Sequence, residues 1–297
     1  MKSQLKPQQR PQLRRLVLIL GDQLDLQSSA LRDFDPKVDE IIMIESANEA
    51  QYVWSHKAKI ALFLSAMRHF AKAIEKSGYP LTYIKESPLP IVEVLKEQIL
   101  QKKIKHLICV EPGEWRLKQA IEELAKELGI ELDMRPDEHF YCSRQEFIEW
   151  AANKKELRLE YFYRLMRKTH NILLDRDGNP EGGQWNFDQD NRKPYPKKGP
   201  GIIDAPAAFE SDAITKEVLA FVEKTYPDHP GSLEAFNWPV TREQAIEALN
   251  YFVEYRLRNF GVYQDAMWTD TPFGWHSILS SALNLKLLNP REVVDAV

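Results

Sequence analysis

Short apolar runs, each followed by polar residues or a turn, recur through the first half of the chain. Runs of this length and composition are typical of strands that are buried on both faces of a parallel sheet. The sequence therefore predicts five strands, at residues 16–20, 41–44, 81–84, 106–110 and 131–134.

Between these runs the spacing of hydrophobic residues changes to three and four, which is the period of an amphipathic helix. One helix is predicted around residues 60–71, with Gly78 as its stop, and another at 116–128, with Gly129 as its stop. This alternation predicts an α/β fold, a Rossmann-like domain whose parallel sheet is covered on both faces. From residue 215 onward the pattern is helical throughout.

Changes in pattern and composition divide the chain into four segments. Residues 1–15 are polar and rich in Gln, Lys and Arg, and we expect a disordered tail there. The α/β domain follows at 16–145. An interdomain helix, predicted at 146–168, and a long loop dense in Gly, Pro, Asn and Asp make up the segment 146–214. Residues 215–297 then form the first part of a helical domain.

The composition is that of a globular protein, with 43% hydrophobic and 28% charged residues. A formal net charge of −4 excludes binding of nucleic acid through overall positive charge, so any such surface must be local. Cys109 and Cys142 form neither a disulfide framework nor a CxxC pair, and we predict no metal site. No apolar run has the length of a membrane helix, and residues 1–15 lack a signal-peptide core, which favours a cytoplasmic protein.

Polar side chains follow several predicted strands at the point where each strand ends. Asp22 and Gln23 come after the first strand, Glu45 after the second and Glu111 after the fourth. Ligands of parallel sheets bind beyond the carboxyl ends of the strands, so these residues are candidates for a pocket rim. Neither GxGxxG nor GxxxxGK[ST] is present, so no dinucleotide fingerprint or P-loop is indicated. Helix-capping or solvent-facing acids are the alternative interpretation.

A histidine and two serines precede an apolar run near the end of the chain, in the stretch HSILS at residues 276–280. If a helix begins there, Ser277 and Ser280 lie near one face of it, and the free N–H groups of its first turn suit a phosphate. Asn289 and Pro290 are expected to start the next helix. An ordinary pair of capped helices is the alternative.

The interdomain segment is locally basic. From Arg164 to Lys198 there are eight Lys or Arg residues and five Asp or Glu residues, although the whole chain is net negative. Cations interleaved with Tyr, Phe and Trp can bind phosphates and stack on bases. A packing strip between two domains, with solvated cations, is the alternative interpretation.

The C-terminal pattern resembles the flavin-binding region of photolyases and cryptochromes. In that superfamily a Tyr precedes T-S-x-L-S, and S-P-R follows; here Tyr263 precedes HSILS at 276–280, and NPR follows at 289–291. This chain departs from the pattern at His276, where Thr is usual, and at Ser281, where many members have Pro.

Other stretches are similar to one branch of that superfamily, the bacterial and archaeal photolyase-related proteins that carry an iron–sulfur cluster. They are GDQL at residues 21–24, EPGE at 111–114 and the long irregular stretch GGQWNFDQDNRK at 182–193. The resemblance covers nearly all of residues 16–297. It implies an antenna-type α/β domain followed by the first part of an all-α FAD-binding domain.

The resemblance also implies binding residues. Those expected to contact FAD are Tyr263, His276, Ser277, Ile278, Leu279 and Ser280. Some members hold a ribityl-lumazine antenna in the first domain, and the residues that would hydrogen-bond it here are Asp22, Gln23 and Glu45. The candidate contacts to damaged DNA are Arg192 and Lys193.

The implied activity is that of a DNA photolyase, a carbon–carbon lyase that repairs pyrimidine photoproducts by light-driven electron transfer from reduced FAD. In the family the helical domain continues well beyond the position of Val297, and the cluster cysteines and lesion chemistry lie there. The resemblance therefore implies that this chain is a truncated, inactive portion with no catalytic residue and no iron–sulfur cluster of its own. Such a portion is expected to be monomeric or to require the C-terminal half. A cryptochrome-like light receptor without repair activity and a flavin-free α/β interaction domain are the alternatives.

Overall fold

The computed structural model describes residues 13–297. The tail predicted for residues 1–15 lies outside the described residues except for its last three, and one of these, Arg15, already belongs to the first strand. The described chain forms two compact units. The sheet unit comprises the residues up to Asp137 together with Glu210–Thr241, and the helical unit comprises Glu138–Phe209 together with Arg242–Val297.

Five parallel strands form one sheet in the order β3-β2-β1-β4-β5. They are β1 (Arg15–Leu18), β2 (Asp39–Ser46), β3 (Leu81–Ser87), β4 (His106–Val110) and β5 (Glu131–Arg135). The predicted α/β fold and its five strands are confirmed. β1, β2 and β4 are buried along almost their whole length, because helices cover both faces of the sheet.

The helices divide between the two units. Those of the sheet unit are α1 (Ala47–Tyr52), α2 (Lys57–Lys76), α3 (Ile91–Lys102), α4 (Trp115–Leu128) and α7 (Ala213–Thr225). Those of the helical unit are α5 (Arg144–Ala151), α6 (Leu159–His170), α8 (Arg242–Tyr251), α9 (Leu257–Tyr263), α10 (Ser280–Asn284) and α11 (Pro290–Ala296). A π-helical turn, Phe252–Arg256, connects α8 to α9.

The winding of the chain reverses at the centre of the sheet. β2 and β3 lie on one side of β1, whereas β4 and β5 lie on the other. The segments that leave the carboxyl ends of β1 and β4 therefore diverge, which opens a crevice between them. Gly21 and Asp22 follow β1 at this point, and Pro112 and Gly113 follow β4. The fold thus places a crevice at the strand ends where the sequence predicts a pocket rim.

α7 belongs to the sheet unit and packs on α2. Val218 and Val222 of α7 are buried, and Lys57 of α2 forms an ion pair with Glu223 at 2.8 Å. The structure thereby groups residues 210–241 with the sheet. The domain boundaries predicted at 145 and at 214 stay predictions.

The interdomain helix predicted at 146–168 is two helices, α5 and α6, separated by residues 152–158. Asn153 adopts a left-handed conformation with φ of +63°, which a right-handed helix cannot contain. α5 begins with a capping box in which Ser143 and Glu146 bond each other's backbone N–H groups. After α6 the long predicted loop is present, with one 3₁₀ turn at Glu181–Gly183.

Candidate functional site

A cavity of about 500 Å³ lies at the carboxyl edge of the sheet, within the sheet unit. Phe63, Leu64 and Met67 of α2 form part of its largely apolar wall. Its acidic lining residues are Asp22, Glu45, Glu49 and Glu114. A mostly apolar cavity of this size with a few converging polar groups is typical of small-molecule sites.

The two predicted antenna residues that follow β1 have different surroundings. Asp22 lines the cavity, whereas the lining residues do not include Gln23. The Gln23 side chain is buried, and its Nε2 donates to the carbonyl oxygen of Val110 at 3.3 Å. Gln23 therefore ties the end of β1 to the end of β4, while Asp22 faces the space that a ligand would fill.

Glu45 lines the cavity, but protein donors engage both of its carboxylate oxygens. Arg68 of α2 donates to them from Nε at 2.9 Å and from Nη2 at 3.0 Å, and the Tyr83 hydroxyl and the Glu86 N–H also donate. Arg68 in turn pairs with Glu86 and Glu217. Burial opposes the charge of Arg68, yet its bonds to Glu45 raise the guanidinium pKa above the ordinary value. Glu45 is thus the anchor of a buried ionic cluster.

Glu49 of α1, four residues after Glu45 at the end of β2, is a further cavity residue that was not among the predicted site residues. Its Oε2 accepts from Nη2 of Arg116 at 2.6 Å. Its Oε1 is buried and has no hydrogen-bond partner within the described chain. A buried carboxylate oxygen without a donor is costly, so a donor group on a ligand in the cavity would find a partner here. The signal in the sequence that could have identified Glu49 is its position four residues after Glu45, beyond the end of the same strand.

Of the stretch 276–280 in which a helix start was considered, residues 276–279 lie in a loop, and α10 begins at Ser280. Ile278 adopts a left-handed conformation with φ of +58°, which interrupts any helix before that point. Ser277 and Ser280 therefore do not share a helical face. His276 and Ser280 are exposed, whereas the Leu279 side chain is buried. The helix predicted to start at Asn289-Pro290 is present as α11, and Asn289 and Glu292 form a capping box at its start.

Arg256, at the end of the π-helical turn, holds this loop in place. Its side chain is 1% exposed, and Nε donates to the carbonyl oxygen of His276 at 3.0 Å. The other two guanidinium nitrogens donate to the carbonyl oxygens of Gly274 and Asp204. Burial lowers the pKa of Arg256 from its ordinary value. Nothing in the sequence indicates this role, because a lone arginine on a helix is usually a solvated cation.

Two tyrosines flank the same loop. Tyr263 stacks on Tyr195 with ring centroids 5.1 Å apart and an interplanar angle of 24°. The Tyr195 hydroxyl is buried without a hydrogen-bond partner within the described chain, and so is the Ser281 hydroxyl. Gly274 has φ of +45°, and a Cβ there would lie 2.9 Å from the Tyr195 hydroxyl, so the close approach requires glycine. Buried hydroxyls without a protein partner are rare and are satisfied in most proteins by water or by a bound group.

A group of cations surrounds Trp185 in the helical unit. Arg164, Arg167 and Lys168 of α6 place their charged groups 5.7, 5.0 and 5.2 Å from the Trp185 ring centroid. We call these four residues the Trp185 cluster. Glu160 neutralises one of the charges through a 2.7 Å bond to Arg164. The cluster therefore concentrates positive charge around an indole ring.

The predicted DNA contacts lie further along the same loop. Arg192 and Lys193 are both exposed. Arg192 lies 3.5 Å from Asp188 and 3.9 Å from Asp265, so acidic groups partly balance its charge. The Lys193 backbone N–H donates to the carbonyl oxygen of Val262, which fixes the backbone while the ammonium group extends into solvent.

Within residues 13–297 no group of three or more His, Cys, Asp or Glu side chains is placed to hold a metal ion. Cys109 is fully buried in β4, and burial raises the pKa of its thiol to about 12. Such a thiol is inert at neutral pH. None of the helices in the described chain combines the length and the hydrophobicity that a membrane span requires.

Comparison with known proteins gives consistent matches. The family model for deoxyribodipyrimidine photo-lyase-related protein matches residues 17–238. A (6-4) photolyase of Agrobacterium fabrum (strain C58 / ATCC 33970) is 41% identical over 286 residues, which cover 95% of this chain and 56% of that protein.

A solved structure is similar in fold. The crystal structure of a bacterial class III photolyase from Agrobacterium tumefaciens matches with a TM-score of 0.56 at 14% sequence identity. The match covers 99% of this chain and 54% of the other. The chain thus spans about half the length of each of these two relatives.

Proposed function

Because the chain belongs to the deoxyribodipyrimidine photo-lyase-related protein family, we propose that its activity is light-driven, flavin-dependent repair of pyrimidine photoproducts in DNA. The observation that carries the proposal in this chain is the loop before α10. Arg256 holds its backbone, the stacked pair of Tyr195 and Tyr263 flanks it, and buried hydroxyls beside it have no protein partner. These features suit one side of a large polar cofactor such as FAD.

When bound, FAD would supply the light-excited electron donor that reduces the lesion. The role of this chain is to bind and orient. The exposed hydroxyl of Ser280 and the half-buried hydroxyl of Ser277 can donate to phosphate oxygens. The ring and hydroxyl of Tyr263 and the exposed side chain of His276 are available to contact the cofactor. Leu279 is buried and would contribute through its backbone.

The cavity at the sheet edge suits a second, smaller heterocycle, and we propose a ribityl-lumazine antenna there. A lumazine ring has N–H and carbonyl groups at its edge, and its ribityl chain has several hydroxyls. Asp22 and Glu49 both line the cavity, and the unpaired Oε1 of Glu49 is an acceptor for such donors. Glu45 and Gln23 shape the walls instead, because other parts of the protein bind their side chains.

We propose that DNA contacts the helical unit at the Trp185 cluster, in addition to Arg192 and Lys193. Like charges that converge on one indole ring repel each other, and a phosphate group would relieve that repulsion. Arg167 is buried and donates to the carbonyl oxygen of Ile172, so it supports the local fold. Arg164 and Lys168 are the members with accessible charge.

An illumination assay tests the proposed function and the cluster together. The purified protein, reduced and mixed with a duplex that contains a pyrimidine photoproduct, should restore intact bases in blue light and not in the dark. The double variant Arg164→Gln and Lys168→Gln should raise KM for the duplex about tenfold at low salt, with little change in kcat, because phosphate contacts position the DNA.

Lys126→Gln, which removes a charge from the exposed face of α4, is the matched control and should leave KM unchanged. Light that restores no bases with the unmodified protein contradicts the proposed function. Repair with an unaltered KM in the double variant contradicts the role of the Trp185 cluster while leaving the repair proposal intact.

A further inference from the structure

One wall of the cavity includes a short helix, α1, that has no buried residue. The segment 45–55, which contains α1, supplies seven of the lining residues. They are Glu45, Ser46, Glu49, Ala50, Tyr52, Val53 and Ser55. Yet α1 itself contains no buried residue, whereas α2, which follows it, buries a long apolar face. A helix of six residues is marginal in water and takes its order from tertiary contacts.

Arg116, at the start of α4, makes such contacts with α1. Its Nη2 donates to Glu49 Oε2 at 2.6 Å, and its guanidinium carbon lies 4.4 Å from the centroid of the Tyr52 ring. Glu114 holds the same guanidinium from the side of α4, with bonds of 2.8 and 3.0 Å. Bonds to Glu114 and Glu49 raise the Arg116 pKa, so the group remains charged.

These contacts join two groups of residues that line the cavity. Glu114 follows β4, Glu49 and Tyr52 follow β2, and all three residues line the cavity. The guanidinium therefore joins two sides of the rim, and one of those sides has no buried side chain of its own. Both contacts to α1 are partly exposed, since the side chain of Arg116 is 33% accessible and that of Glu49 29%. Partly exposed ion pairs and cation–π contacts are weak enough to open and re-form rapidly.

We propose that Arg116 is a latch that holds α1 over the cavity, so that opening of α1 controls the access and release of the bound ligand. The inference rests on the proposed function, in which the cavity holds a ribityl-lumazine. A closed α1 covers the ligand and aims Glu49 inward. An open α1 exposes the mouth of the cavity, because Ala50, Tyr52 and Val53 leave together with the helix that carries them. Arg116 is a positioning residue in this scheme and does not contact the ligand.

The latch predicts a specific change in binding kinetics. Arg116→Gln should raise the dissociation rate of 6,7-dimethyl-8-ribityllumazine about tenfold, because an ion pair and a cation–π contact are lost together. The association rate should rise severalfold as well, since the open state becomes more populated. Tyr52→Leu, which removes the ring but keeps Glu49, should have a smaller effect. Stopped-flow fluorescence anisotropy with the full chain measures both rates.

A hydrogen-exchange measurement and a charge control make the outcome decisive. Hydrogen exchange of the amides in α1 should accelerate about tenfold in Arg116→Gln, while exchange in β2 and β4 stays slow. Lys126→Gln on the same helix is the charge control and should alter neither exchange nor binding. Because exchange needs no ligand, this arm tests the latch even if the lumazine does not bind.

The possible results separate the two proposals. Failure of the unmodified protein to bind the lumazine overturns the proposed antenna site, and the exchange arm then decides whether Arg116 restrains α1. Unchanged exchange in Arg116→Gln overturns the latch. Faster dissociation with an unchanged association rate also overturns it, because that pattern means a lost binding contact at Glu49 and no opening of the cavity. Faster exchange with both rates unchanged also overturns the proposal, because the ligand then enters and leaves by a route that α1 does not control.

Discussion

Replacement of Arg68 by methionine should lower the free energy of unfolding by about 3–5 kcal/mol, the usual cost of removing one partner of a buried ion pair. Arg68 and Glu45 have side chains that are only 2% exposed, and each satisfies the other with two hydrogen bonds. Without the guanidinium, the Glu45 carboxylate keeps the Tyr83 hydroxyl and the Glu86 N–H as donors but carries an uncompensated buried charge. Urea unfolding followed by circular dichroism measures the change.

Lys72→Met, on the same helix, is the control for this experiment. Lys72 is exposed and pairs with Glu75, so its loss should cost less than about 0.5 kcal/mol. The double variant Arg68→Met and Glu45→Leu should recover part of the stability, because both members of the pair are then gone. A loss below about 1 kcal/mol for Arg68→Met would mean that the cluster is hydrated and adds little to the fold.

Arg256→Met should lower the free energy of unfolding by about 2–4 kcal/mol and loosen the loop that precedes α10, because three backbone carbonyl oxygens, one of them in a buried bond, lose their donor. These are the carbonyls of Asp204, Gly274 and His276. Arg256→Lys should recover only part of the stability, since an ammonium group cannot reproduce the planar fork of the guanidinium. Urea unfolding gives the stability, and hydrogen exchange over residues 272–278 reports on the loop.

Arg258 provides the matched control, since it is an exposed arginine two positions further along the chain. Arg258→Met should change stability by less than about 0.5 kcal/mol and leave exchange of the loop as it was. If Arg256→Met unfolds at the same urea concentration as the unmodified protein, water must reach those carbonyls and the loop does not depend on Arg256.

The sheet could be predicted from the sequence because its signal is local. Each buried strand is a continuous apolar run, and the helix stops at Gly78 and Gly129 are single residues with positive φ. The order of strands and helices then leaves few topologies open. The family resemblance, which the comparisons support, adds expectations about cofactor and substrate, which local hydrophobic patterns do not contain.

The site was harder to predict because its contacts are not local. Nothing near Glu45 reveals that Arg68 and Tyr83 will bind its carboxylate, so the sequence cannot separate a ligand contact from a buried anchor. Arg256 and Arg116 look like solvated cations on amphipathic helices, although one binds three carbonyls and the other spans a cavity rim.

Two errors of secondary structure have a common cause. The break between α5 and α6 and the late start of α10 both occur at non-glycine residues with positive φ, Asn153 and Ile278. Asn153 is exposed, and asparagine adopts the left-handed region more readily than most residues do. For a β-branched residue such as Ile278, intrinsic propensity does not signal this conformation. Helix boundaries near a binding loop are therefore the least predictable part of this chain.

The flavin content of the purified protein tests the central claim most directly. We expect the protein to retain FAD through gel filtration, measured as flavin absorbance and as FAD released on denaturation. Ser280→Asp should reduce retention about tenfold or more, because it adds a negative charge where the diphosphate is expected. Ser143→Asp adds the same charge at a helix N-cap, where Asp is tolerated, and should have no effect. A protein that is colourless and takes up no added FAD, or a Ser280→Asp variant that retains FAD as well as the unmodified protein, would contradict the account.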